Sequence, residues 1–255
     1  QMSTISTSRV LGRGFGPLIG GAIYAAFGMS SVFLVMSGLS VVAFVMVLLF
    51  IPDTKDLGVQ KNTLSYRQVL KSVRIRGLFL YRFARAINLG VFFVFLPLFA
   101  TVIGLSVFEI GVLISSILVL TALLQRPFGY LADRFDRLNL IIFGFIFSAI
   151  PLFILPHTSN FVELIFICSF IGVGRALSMP PSLALTIEIG RKIGMGFAMG
   201  LLSTAMGIGM ITASLTSGFL LDFYGINFPF YFAGIISIIT APIIYLLIKD
   251  PNPGI

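Results

Sequence analysis

Gly12-Arg13-Gly14-Phe15-Gly16-Pro17-Leu18-Ile19-Gly20-Gly21 is a run of small residues set inside an apolar segment, and a copy of it occurs late in the chain. Gly209, Ala213, Ser217 and Gly218 fall in the same register as Gly12, Gly16, Gly20 and Gly21. The register continues beyond the run. Gly28 aligns with Gly225, Phe33 with Phe230, Ser40 with Ser237, Ile51 with Ile248 and Asp53 with Asp250. Each copy reads as a small-residue helix, a short glycine turn and a second apolar helix. A parallel repeat of this kind implies a parent protein built from two equivalent membrane halves. The first copy has nothing of its half before it, so the chain is expected to be incomplete.

Composition agrees with a membrane as solvent. Apolar residues make up 58% of the 255, charged residues 10%, and the mean hydropathy is +1.08. A soluble domain of this length has no use for so much apolar surface. Eight segments are long enough to span a bilayer, at about 1.5 Å per helical residue. They are placed at 3–27, 30–51, 77–103, 107–128, 138–156, 161–187, 194–223 and 228–248. The single cysteine, Cys168, rules out an intrachain disulfide.

The formal charge of +8 is not a nucleic-acid signal, because of where it lies. Of 17 Lys and Arg, 11 fall in alternate connections or the tail: Lys55, Lys61, Arg67, Lys71, Arg74, Arg76, Arg134, Arg137, Arg191, Lys192 and Lys249. The connections near 28–30, 104–106, 157–160 and 224–227 hold none. This asymmetry predicts that both termini of the chain are cytoplasmic. The expected organisation is two helices over 1–53, a cytoplasmic linker over 54–76, a six-helix bundle over 77–249 and a tail at 250–255. The basic stretch Tyr66–Arg74 in the linker lies either against anionic headgroups or free in water.

The glycine run has a physical use. Gly12, Gly16 and Gly20 are four residues apart and share a helix face, so another backbone can approach closely, which is what packing in lipid needs. Pro17 removes a donor, frees the Arg13 carbonyl and is expected to bend the helix. Ala205, Gly209, Ala213 and Ser217 form the matching seam. Two further features mark places where helices bend: Gly194, Gly196 and Gly200 at the start of one helix, and Pro180-Pro181, expected to break another.

The run Gly129-Tyr130-Leu131-Ala132-Asp133-Arg134-Phe135-Asp136-Arg137 is expected in a cytoplasmic hairpin. Here the chain resembles the major facilitator superfamily of secondary transporters, which carries G-x-L-A-D-R-x-G-R-[RK] between its second and third helices and a degenerate copy between the eighth and ninth. Gly129, Leu131, Ala132, Asp133, Arg134 and Arg137 match; Asp136 stands where glycine is usual and Leu138 where a base is usual. The run at Gly12–Gly21 resembles the fifth-helix motif of the superfamily's proton-coupled exporters. The resemblance implies helices five to twelve of a twelve-helix fold. It also implies that Gly129, Asp133, Arg134 and Arg137 form a gate between the two halves. Without the resemblance, Asp133 reads as a helix cap or the partner of a neighbouring helix dipole.

Charges inside the spans are the candidate site. Arg175 lies mid-span between Gly172, Gly174 and Ala176, where an arginine costs about 2.5–3.5 kcal/mol on insertion scales. It must face a cavity or a partner. Arg85 and Asn88 share a face of another span, with Arg82 beside them; Arg9 and Arg13 lie on the first. These residues either meet substrate or neutralise acids on helices outside the chain. A phenylalanine-lined pocket of Phe92, Phe93 and Phe95 is a weaker candidate. Glu109, Glu163 and Asp222 fall at outer helix ends, and Asp133, Asp136 and Glu188 on the cytoplasmic side. A proton relay therefore has no acid mid-span.

Ser/His/Asp, metal-ligand and phosphate-loop patterns are missing, which argues against an enzyme, a resident cofactor and direct ATP drive. The expected activity is secondary transport of a small organic solute by alternating access. Proton-coupled efflux is the direction that the resemblance implies, and the expected partners are the substrate, protons, the bilayer and the four further helices. Two alternatives stay open: an organic-anion uptake or exchange carrier, and a non-transporting sensor or scaffold built on the same fold.

Overall fold

A computed structural model of the chain describes residues 2–50 and 72–249, with side chains from residue 15 onward except Lys192. The linker as far as residue 71, the tail 250–255 and the side chains of Arg9 and Arg13 lie outside the described residues.

The described residues form eight α-helices: α1 (Met2–Phe27), α2 (Met29–Phe50), α3 (Val73–Val102), α4 (Val107–Arg134), α5 (Arg137–Ile154, continued by a 3-10 turn at Leu155–His157), α6 (Phe161–Ile193), α7 (Met195–Tyr224) and α8 (Phe228–Lys249). Seven of them are long and apolar enough to cross a membrane; α1 contributes the shorter apolar stretch Phe15–Phe27. Gly28 and Gly225, aligned in the repeat, have φ of 78° and 95°. Each forms the tight turn between its two helices in a backbone conformation open to glycine.

Three expectations are corrected. The start of α3 at Val73 places Arg74 and Arg76 on a helix rather than in the linker. The end of α4 at Arg134 makes the whole of Gly129–Arg134 helical, leaving only Phe135 and Asp136 between helices. Pro180 and Pro181 do not break α6, which runs on to Ile193. That helix is held along its length by α4 and α5, and packing of this kind lets a membrane helix carry proline without ending.

Helices α3 to α8 pack as one bundle. α3 sits against α7 and α8, α5 against α6 and α8, and α4 against α6. The closest approaches are made by small residues. A Cβ added to Gly90 would lie 2.7 Å from the Ala213 Cβ, and one added to Gly174 would lie 2.6 Å from the Ser148 amide nitrogen. Ala205, Gly209, Ala213 and Ser217 are all buried, so the second seam is a packing face, and Gly209 and Ala213 meet α3 on it.

The first seam differs. α1 packs on α4, but through Pro17 and Gly21 rather than Gly16 and Gly20. A Cβ on Gly111 would meet the Pro17 carbonyl at 2.7 Å, and one on Gly21 would meet the Val107 carbonyl at 3.3 Å. Gly16 and Gly20 have nothing within 4 Å. Stepping by one residue turns the face about 100°, so this line of glycines is open among the described residues. α2 leans on α1 and buries no residue.

Polar caps gather at the helix ends. Ser106 and Glu109 form a capping box on α4, Asn160 accepts from the Glu163 amide on α6, and Asp136 accepts from the Leu138 amide on α5 at 3.1 Å. Such caps satisfy amides that a helix start leaves without partners.

Candidate functional site: an arginine-lined cavity

Three helices each turn one stripe toward a common space. Arg85, Asn88, Leu89 and Phe92 come from α3, Phe145, Ser148 and Leu152 from α5, and Ile171, Arg175 and Ser178 from α6. The spacing is that of one helical face in each case. The space between these faces is ≈ 410 Å³ counting the open solvent at its mouth, so it is a cleft rather than an enclosed void. Next to its lining residues α5 and α6 cross, with Gly144 and Gly174 interlocked; a Cβ on Gly144 would meet the Gly174 carbonyl at 2.7 Å. This approach sets Ser148 and Arg175, neighbours of the crossing, on one wall.

Arg175 enters the cavity with its Nε buried and without a hydrogen-bond partner. Arg85 is held: one of its guanidinium nitrogens donates to the Tyr81 hydroxyl at 3.1 Å. Tyr81 in turn donates to the Ser178 carbonyl at 3.4 Å. Tyr81 is fully buried and meets the Phe145 ring edge-on at 5.5 Å, so it ties α3 to both α5 and α6. Asn88 donates to the Ser237 hydroxyl of α8 at 2.8 Å. Arg82 has a buried, unpartnered Nε but is not part of the cavity wall.

Tyr81 was missed at the level of sequence. The signal was there, since it lies four residues before Arg85 and so on the same face. Of the three phenylalanines, Phe92 alone lines the cavity. Phe95 is buried in the core and Phe93 is exposed.

Among the described residues no carboxylate lines the cavity. Asp133, Asp136, Glu163, Glu188 and Asp222 are exposed and Glu109 is half-buried in the first turn of α4. The one ion pair among the described residues joins Arg137 to Glu188 at 3.4 Å, linking the start of α5 to the last turns of α6. At the same end Arg134 lies over the Tyr130 ring, 4.4 Å from its centroid, and bonds its hydroxyl. Asp133 is not a cap: it lies in the last turn of α4, and Asp136 does the capping. Gly129 stands beside Pro180, its added Cβ 4.0 Å from the proline ring. Gly12 and Arg13 lie on α1, in the part of it whose side chains are outside the described residues.

The model of the Major Facilitator Superfamily matches residues 1–192 and again 77–255. The chain belongs to that superfamily, and the helices above are an integral membrane fold of it. An uncharacterized MFS-type transporter of Methanocaldococcus jannaschii is 29% identical over 97% of this chain and 66% of its own length. The multidrug resistance protein MdtG of Proteus mirabilis is 25% identical over 99% of this chain and 64% of its own. A multi-drug resistance efflux pump PmrA homolog of Lactococcus lactis is 24% identical over 84% of this chain and 55% of its own. The chain thus spans less than two thirds of the length of these relatives.

Proposed function

We propose that the protein is a secondary active transporter that exports a small organic compound by alternating access, driven by protons. The observation that carries this reading is the cavity between α3, α5 and α6, whose walls are polar at Arg85, Asn88, Ser148, Arg175 and Ser178 and apolar elsewhere. A concave, mostly apolar site with a few converging polar groups is the usual form of a small-molecule site. The efflux direction is supported by the relatives named for multidrug resistance and by the Gly12–Gly21 run.

In this reading α1 and α2 belong to the first half of the transporter and α3 to α8 form the second. Further helices of the same protein cover the Gly16–Gly20 line and α2. The end bearing Arg134, Arg137 and Lys249 is cytoplasmic, and the Arg137–Glu188 pair closes part of it. The cavity has no acid of its own, so the proton carrier belongs to the covering helices.

The test uses everted vesicles containing the full-length protein. With a proton gradient established, addition of a quinolone or another exported drug should release protons and dissipate the gradient. Vesicles that hold their gradient against every drug of a multidrug panel would overturn the efflux reading.

A further inference from the structure

We infer that the cavity recognises an amphipathic organic anion, whose carboxylate or sulfonate sits between Arg85 and Arg175 and whose apolar body lies against Phe92, Phe145, Leu152 and Ile171. This deepens the transport reading by naming a substrate class, and it rests on that reading only for the site's role.

Charge balance is the first argument. Two guanidiniums line one cavity and no carboxylate does. The acids of the described residues lie at helix ends, outside the cavity wall, and cannot serve. An arginine in a membrane interior is retained where its charge meets a counter-charge or water. A bound anion between the two supplies that counter-charge, whereas a cationic compound would add a third like charge.

Geometry is the second. The Nε of Arg175 is buried without a hydrogen-bond partner, so a donor of its planar guanidinium is open to the forked contact that carboxylate and sulfonate oxygens accept. Arg85 spends one donor on Tyr81 and is thereby oriented with others to spare. Ser148 and Ser178 offer hydroxyls beside them. The remaining wall is apolar, and Phe92 and Phe145 are each nearly wholly buried. An inorganic anion would leave this wall empty. A ligand with a ring or chain behind its charged group fills both parts.

Naphthoate and naphthalenesulfonate are suitable probes, set against neutral naphthamide and cationic naphthylmethylammonium. Binding to the purified full-length protein is measured by equilibrium dialysis, which needs no transport. Both anions should bind at least about tenfold more tightly than naphthamide, the size of a charge-assisted hydrogen bond. The ammonium compound should bind most weakly. Arg175→Gln and Arg85→Gln should each abolish the preference. Arg175→Lys keeps the charge and loses the fork, so it should retain an intermediate preference, and it serves as the folded control if the glutamine variant is poorly made. A carboxylate from a covering helix is the other source of the same chemistry. In that case wild-type protein binds naphthoate no better than naphthamide and Arg175→Gln chiefly lowers folded yield, which overturns the inference. An anion preference untouched by the arginine substitutions overturns it as well. Retained anion binding with no drug-driven proton release would sink the efflux reading alone; drug-driven release without anion preference would sink only this one.

Discussion

At the scale of single residues, Tyr81 and Asp133 carry separable roles. Tyr81 holds Arg85 through its hydroxyl while its ring packs on Phe145. Tyr81→Phe keeps the ring and removes the tether. Its expected cost in stability is about 0.5–1.5 kcal/mol, small enough to leave membrane abundance near wild type, while ligand affinity at the cavity falls about three- to tenfold. Loss of abundance with unchanged affinity would make Tyr81 a packing residue only. Asp133 lies exposed in the last turn of α4, where the helix dipole disfavours an anion by about 0.3–1 kcal/mol. Asp133→Asn should therefore leave the melting temperature unchanged or raise it slightly. Transport should still suffer if the acid closes the cytoplasmic end against the other half. A clear drop in melting temperature would show instead that Asp133 stabilises the fold.

At the scale of elements, the decisive contacts are backbone against backbone. Gly174 faces the Ser148 amide and the Gly144 carbonyl, at 2.6 and 2.8 Å from an added Cβ. Neither atom can swing aside as a flexible side chain would. Gly174→Ala must part α5 from α6, at about 1–3 kcal/mol, the usual cost of overpacking, and it should deform the cavity as well. Gly218, in α7, has nothing within 4 Å; Gly218→Ala should be neutral or stabilising by up to about 1 kcal/mol, the helix-propensity difference. Melting curves of the two purified variants give the comparison, and equal stability would refute this account of the crossing. The same contrast applies between α1 and α4. Gly111→Leu should loosen α1 from α4, because the Pro17 carbonyl occupies the space. Gly16→Leu should leave that contact intact. Limited proteolysis between α2 and α3 reads the difference, with faster cleavage expected for Gly111→Leu alone.

At the scale of the whole molecule, charge sets the orientation proposed above. The helix ends on one side carry Arg134, Arg137 and Lys249, and the connections on the other side carry no Lys or Arg. Cys168 is fully buried, so this part of the protein adds little background to thiol labelling. A membrane-impermeant maleimide added to intact cells should label Ser159→Cys. It should label Asp136→Cys only after permeabilisation. The opposite pattern would invert the topology.

The repeat, the number of helices, the membrane environment and the family were legible in the residues themselves, because they rest on local properties. Hydropathy needs only length and composition. Glycine at 28 and 225 needs only the turn it makes. The identity of Arg175 as a buried charge needs only an apolar span around it. Contacts were a different matter. The face of α1 that packs lies one residue away from the glycine line, and it was decided by where α4 runs, which no local pattern encodes. Gly129–Arg134 reads as a loop from its charges, yet it is helical because α4 continues past the apolar stretch before Asp136 starts the next helix. Pro180 and Pro181 look like a break and are carried through by neighbours on both sides. The pairing of Arg175 with Arg85, and Tyr81 as the residue that holds the latter, come from helices some ninety residues apart in sequence. Their meeting follows from the Gly144–Gly174 crossing, a close approach that neither glycine announces until the other is placed against it.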